Sequence, residues 1–306
     1  MRFATVAHGG RTVAAVVARD RVHELPDRTV ADLVASGLAA ALEAGGAALA
    51  GPGVPLADVT LALPYRPASV RDFVTFESHV EGVRRSVEGA AGVPSAWYDA
   101  PTFYFTNPHA LYGPGAAIRR PAHSRALDFE LEVGVVLGRD GASLSEAEAH
   151  DAIFGYTVVN DWSARDLQAR EMQVGLGPAK GKDFATSIGP WLVTADELAP
   201  RLDGSGRLDL DCRVSVNGVP IGRDRLAHMH WTFPQLIAYA SRDSVVRAGD
   251  LLASGTTGGG GCLAELWGRR GSQDPPPLEP GDEVVMRVEG IGELAGTVAD
   301  DAGGRG

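Results

Sequence analysis

The segment Asp128-Phe-Glu-Leu-Glu132 carries carboxylates at alternate positions. On an extended strand alternate side chains share a face, so Asp128, Glu130 and Glu132 are expected to project together. Like charges in line repel, and strands disfavour Asp and Glu. The run continues into Val133-Gly-Val-Val-Leu137, which reads as buried core. Acids at the mouth of an apolar strand want a cation, and hard divalent ions take carboxylate oxygens. A metal site is favoured here over a solvated acidic face.

Asp161 closes the next apolar strand, with Arg165 and Gln168 at i+4 and i+7 on the helix that follows. Alone, this is a helix cap with a surface Asp–Arg pair. Beside a carboxylate metal site, the same face offers a third ligand and two donors for a substrate carboxylate or carbonyl. His79 lies between Glu77 and Glu81, with Asp72 upstream. A lone histidine is more often structural, but flanking acids are expected to raise its pKa and suit it to base work near neutrality. Only two of the 28 Lys and Arg residues are lysines, Lys180 and Lys182. A site that needs a compact ammonium cannot accept arginine's planar fork; chance survival on a loop carries equal weight. Gly258–Gly261, flanked by Thr256 and Glu265, lacks the lysine of a phosphate loop. It reads either as a flexible turn or as a close backbone approach to a ligand, with Glu265 on an emerging strand.

The elements that must position these groups are mostly short strands. Residues 1–62 read as a small β-rich domain with one helix near 30–44, and residues 63–306 as the larger catalytic unit. A helix is expected over about 76–88 and a loop-rich region over 96–119. Ser145-x-x-Glu148 marks a capping box and Asn217-Gly218 a hairpin turn. Long helices do not alternate with the strands, which argues against a doubly wound sheet and for a β-rich α+β fold. With 39 acidic against 28 basic residues the net charge is -11, the wrong sign for a nucleic-acid surface. Cys212 and Cys262 stand far apart without metal-binding spacing, consistent with a reducing cytoplasm. No secretory leader pattern and no membrane-length apolar run is evident, so neither export nor a membrane partner is expected.

Five blocks in register, Asp128–Glu132, Asn160–Gln168, Leu176–Phe184, Ala253–Leu266 and Leu278–Leu294, resemble the fumarylacetoacetate hydrolase family over roughly residues 66–298. The resemblance implies a mixed β-sandwich roll, preceded by a small N-terminal β-rich domain and paired as a homodimer. It implies a divalent metal, Mg²⁺ first with Ca²⁺ or Mn²⁺ as alternatives, on Glu130, Glu132 and Asp161, with Asp72 as a further ligand. Arg165, Gln168 and Thr256 would contact substrate, and Lys182 would polarise a substrate oxygen; Lys180 has no matching role. His79, oriented by Glu265, would activate water. Some relatives instead place a glutamate three residues after this histidine, where this chain has Gly82 and carries Glu81 one place off; that departure favours the hydrolase arrangement. The implied reaction is hydrolytic C–C cleavage of a small β-diketo or 2-oxo acid. The alternative is a 2-oxo-dienoate hydratase, isomerase or decarboxylase on the same scaffold, and a silent metal-binding protein is the rival of another class. Aromatics in the 89–112 region, among them Trp97, Tyr98 and Tyr104, either cover a substrate substituent or simply pack a lid.

Overall fold

The computed structural model describes residues 1–299. Its centre is the Leu131–Leu137 strand, buried along its whole length. On one side it pairs with Ile153–Asp161 and on the other with Leu251–Ala253, both antiparallel. Such runs lack polar alternation because both faces of the strand are covered. The sheet extends from Ile153–Asp161 to Thr186–Thr194, and from Leu251–Ala253 to Val70–Phe73 and Phe103–Thr106. A five-stranded sheet, containing the Asp211–Val216/Val219–Arg225 hairpin and the Glu283–Val288/Gly292–Val298 pair, packs on the larger one. Val133, Val135, Tyr156 and Val158 face Cys212, Val214, Met286 and Leu294 in one core between them. Parallel pairs occur within both sheets. The result is the expected mixed, sheet-rich α+β architecture.

The N-terminal strands are hydrogen-bonded to this frame. Arg2–His8 pairs antiparallel with Thr186–Thr194, and Arg11–Ala18 and Arg21–Leu25 continue the same 12-stranded sheet outward. Phe3 packs against Phe154 of the central region. The helix expected near 30–44 is two helices, Val30–Ala35 and Leu38–Leu49, separated at Gly37, whose φ of 83° no helix interior accepts. The Ser145–Glu148 capping box and the Asn217-Gly218 turn, with φ of 51° and 75°, form as expected. One expectation fails: Glu265 lies on the helix Leu263–Arg270, not on a strand. Among the described residues, no helix is long and apolar enough to cross a membrane.

Candidate active site

The side chains singled out above converge at one end of the large sheet, because antiparallel and parallel pairings bring the right strand ends together. Glu130 precedes Leu131–Leu137, Asp161 ends its antiparallel neighbour, and the Asp161 amide donates to the Glu130 carbonyl at 3.2 Å. Lys182 precedes Thr186–Thr194, the next strand over. Asp72 lies on Val70–Phe73, in register with Tyr104 on the adjoining strand. His79 follows on the helix Glu77–Val83, which continues into a π-helical turn over Arg84–Glu88. Thr256 leaves the Leu251–Ala253 strand at the same end.

Asp72, Glu130 and Glu132 each offer an oxygen within 4.8 Å of the others, all buried. Asp161, also buried, stands beside them. The hydrogen bonds leave a pattern. Tyr104 donates its one proton to Asp161 Oδ2 at 2.5 Å with its hydroxyl oxygen 3.1 Å from Asp72 Oδ2, and Thr256 donates to Glu132 Oε1 at 3.2 Å. Asp72 Oδ1, Glu132 Oε2 and Asp161 Oδ1 are buried with no partner. An unpaired buried carboxylate oxygen costs free energy unless something else satisfies it. Burial first, then repulsion from neighbouring carboxylates (Asp161 and Glu130 on Asp72; Asp72, Glu130 and Asp161 on Glu132), pushes the Asp72 and Glu132 carboxyls well above the usual carboxylate range, and Asp161 is also raised, chiefly by burial. These donors fit a hard divalent cation.

Lys182 supplies the positive charge within the cluster. Its Nζ lies 2.5 Å from Glu130 Oε2 and 2.6 Å from Asp161 Oδ2. Burial alone would favour the neutral amine, but Asp161 and Glu130 outweigh it, so the group stays an ammonium. Gly181 makes this placement possible. A Cβ there would fall 2.8 Å from the Gln168 backbone nitrogen, so only glycine lets the loop lie against the Arg165–Met172 helix and turn Lys182 inward. Lys180 points the other way, exposed and paired with Asp183 at 2.8 Å. The two lysines thus divide the alternatives left open above: one is a buried ammonium and the other a surface residue.

Asp128 does not join the cluster. The strand is interrupted between Leu127–Asp128 and Leu131–Leu137, so the alternation that would align three carboxylates is broken. Asp128 instead accepts the Leu263 and Ala264 amides at 2.8 and 3.0 Å, satisfying the N-terminus of the Leu263–Arg270 helix from far along the chain. Arg165 stands between the two acids, 2.8 Å from Asp128 through Nε and 2.7 Å from Glu130 through Nη2. Its Nη1 holds Gln168 Oε1 at 3.0 Å. Asp161 does not cap the helix: Ala164 occupies that position without a side-chain bond.

His79 is buried, with Nε2 3.9 Å from Glu130 Oε1 and Nδ1 3.6 Å from the Cys262 sulfur. The flanking acids do not act on it as expected. Glu77 accepts from Tyr98 and Glu81 pairs with Arg85, both away from the imidazole. Burial, helped by Arg165 and Lys182 and opposed by Glu130, drives the pKa of His79 down to about 3, so the ring is neutral. Glu265 is not hydrogen-bonded to it. That carboxylate accepts from the Gly259 and Gly260 amides at 3.1 and 3.2 Å and pairs with Arg269. The glycine run approaches protein rather than ligand: Gly258 abuts Ser78, and Gly259 the Arg223 carbonyl.

These groups form the floor of a cavity of about 510 Å³. Asp72, His79, Glu130, Arg165, Gln168, Lys182 and Thr256 line it, and Glu132 and Asp161 lie beneath, bonded to the lining residues Thr256, Lys182 and Tyr104. Glu265 is outside the lining. Tyr104 was legible only as a loop aromatic; its strand register with Asp72 gives it a polar role that no local signal carried. Trp97, from the same region, donates to the Val74 carbonyl at 2.7 Å and turns its ring toward the cavity.

The family model described as "Fumarylacetoacetate (FAA) hydrolase C-terminal" matches residues 68–299. The fumarylacetoacetase of Mus musculus is 32% identical over 305 residues, covering 79% of this chain and 72% of its own. A 5-carboxymethyl-2-hydroxymuconate delta-isomerase from Mycobacterium smegmatis superposes with a TM-score of 0.71 at 28% identity, over 99% of this chain and 100% of that one. A maleylpyruvate hydrolase from Sphingobium sp. SYK-6, solved with manganese(II) and pyruvate, shares the fold at 23% identity, with a TM-score of 0.73 over 98% of this chain and 99% of that one.

Proposed function

This chain belongs to the fumarylacetoacetate hydrolase family, and from that premise we propose that it is a metal-dependent hydrolase cleaving a C–C bond in a small β-diketo or 2-oxo acid. The observation that carries the reading is the buried carboxylate cluster with its unpaired oxygens, set at the floor of a cavity that His79 also lines. Asp72, Glu130, Glu132 and Asp161 would hold the cation, their hard oxygen donors suiting Mg²⁺, with Ca²⁺ or Mn²⁺ as alternatives. When bound, it supplies Lewis-acid polarisation of a substrate carbonyl.

The chain's own residues do the rest. Arg165 and Gln168 present donors to the substrate's carboxylate end, and Lys182 offers its ammonium to an oxygen on which negative charge develops. His79, neutral, takes a proton from water at Nε2 as the hydroxyl adds to the acyl carbonyl carbon. The C–C bond then breaks, its electron pair passing to the 2-oxo fragment as an enolate. The proton on His79 returns to that carbon, releasing one carboxylic acid and one 2-oxo acid. A homodimer and a cytoplasmic setting belong to the same proposal.

A second reading has a specific observation behind it. Glu265 is held by Gly259, Gly260 and Arg269 and does not orient His79, and the isomerase from M. smegmatis spans nearly the whole chain. An isomerase, hydratase or decarboxylase needs proton transfer at the same floor without water attack. Substituting His79 separates the two. For a hydrolase, His79→Asn lowers kcat for C–C cleavage by roughly 10²–10⁴-fold, while Mg²⁺ affinity measured by calorimetry stays within a few-fold. Loss of cleavage with retained tautomerisation in His79→Ala would favour the second reading.

A further inference from the structure

We infer that the substrate carries one carboxylate, at its 2-oxo end, and an apolar or aromatic group at the other; this inference rests on the reaction class proposed above. The cavity has two unlike halves. The floor is ionic, with Lys182, Arg165 and the carboxylates. Above it, the walls are Val80, Val83, Pro94, Trp97, Phe103 and Met172. The one polar atom of the Trp97 ring is already bonded to the Val74 carbonyl, so its face toward the cavity is apolar.

A substrate with a second, distal carboxylate needs a cation there, because burying an unpaired carboxylate is costly. Among the described residues that line the cavity, the cations are Lys182, Arg165 and Arg84; the first two serve the 2-oxo end, which leaves Arg84 alone for a distal carboxylate. Lys182 is held by Glu130 and Asp161, and Arg165 by Asp128, Glu130 and Gln168. Arg84, the one cation on the outer half, pairs with Glu88 at 3.1 Å and donates to the Gly92 and Ala91 carbonyls at 2.6 and 3.3 Å. Glu88 itself lines this half and holds Arg84 as an ion pair. The outer chamber therefore offers a terminal carboxylate no free cation and rewards apolar surface.

The test uses the full chain with Mg²⁺. Turnover is compared for acetylpyruvate, benzoylpyruvate and succinylpyruvate, and binding by calorimetry for 2-oxo-4-phenylbutyrate and 2-oxoadipate, which the proposed reaction cannot cleave. Each buried methylene is expected to gain about fourfold. Benzoylpyruvate should exceed succinylpyruvate in kcat/KM by at least about 30-fold, and 2-oxo-4-phenylbutyrate should bind tighter than 2-oxoadipate by a similar factor. Glu88→Gln, at an exposed position, releases Arg84 to pair with a distal carboxylate, and should narrow both ratios several-fold. Cleavage without preference, or with preference for the carboxylate-ended acids, would overturn the inference and leave the reaction class standing. No cleavage, with the apolar acid still bound tighter, would overturn the reaction class alone. Binding of neither acid would overturn both.

Discussion

Glu132→Gln should raise the stability of the metal-free protein while lowering activity and metal binding. Glu132 is buried, its Oε2 has no partner, and burial together with Asp72 and Glu130 pushes its carboxyl well above the usual range. A carboxyl whose pKa is raised on folding opposes folding as pH rises past its unfolded value. Glutamine keeps the shape and the bond from Thr256 but removes that cost. The metal-free variant should therefore melt higher than wild type at pH 7–8, by about 2–4 °C for each kcal/mol relieved. The gap should shrink as pH falls toward the ordinary glutamate value, where the unfolded chain's carboxyl is protonated as well. With metal the order reverses. Saturation at about 100 times Kd stabilises wild type by about 2.7 kcal/mol, and the variant should lose most of that gain together with at least ~100-fold in turnover. Melting curves with and without Mg²⁺ decide it. A variant less stable than wild type without metal, or equally stabilised by it, would contradict the reading of Glu132 as a ligand.

The second large effect falls on one lysine and spares the other. Lys182 is 3% exposed and lies between Glu130 and Asp161. Lys182→Met leaves those carboxylates without their internal cation, an uncompensated buried charge worth about 3–5 kcal/mol of stability. It also removes a donor to developing negative charge, which typically costs about 10²–10³ in kcat. Added Mg²⁺ should recover part of the stability and none of the activity. Lys182→Arg should not rescue turnover, because a planar fork does not fit where a point charge contacts two carboxylates. Lys180→Ala, at a side chain 78% exposed and held only by Asp183, should leave kcat and Tm nearly unchanged. Denaturant titrations with steady-state rates on the three variants test this asymmetry.

Much of this arrangement was legible in the residues, and the failures have physical causes. Val133–Leu137 could be read as a buried strand because an unbroken apolar run has few other uses, and the Ser145 capping box and Asn217-Gly218 turn are local chemistry. Glu130, Glu132 and Asp161 were found because carboxylates beside apolar strands are costly without a reason. Asp128 was misplaced because a short break in the strand cancels the two-residue alternation. The helix carrying Glu265 was missed for a related reason: Cys262 precedes it where a Ser, Thr, Asp or Asn would have announced a cap. The Cys262 thiol accepts the Glu265 amide at 3.4 Å, and the remaining acceptor is Asp128, 135 residues away in sequence. No window of local sequence contains that signal. The expected rise in the pKa of His79 failed similarly: its neighbours in the chain, Glu77 and Glu81, point outward, and burial, helped by Arg165 and Lys182, outweighs the pull of Glu130. Tyr104 acquires its place between Asp72 and Asp161 only from strand register.

Metal-dependent C–C hydrolysis is checked by following the enol absorbance of an acylpyruvate panel and fumarylacetoacetate with Mg²⁺ and with excess EDTA, and by identifying the products. The expected result is absorbance loss that EDTA abolishes and Mg²⁺ restores, with one carboxylic acid and one 2-oxo acid recovered in equal amounts. Absorbance loss that yields an isomer, a hydrate or carbon dioxide in place of the two acids would contradict it, as would turnover indifferent to EDTA.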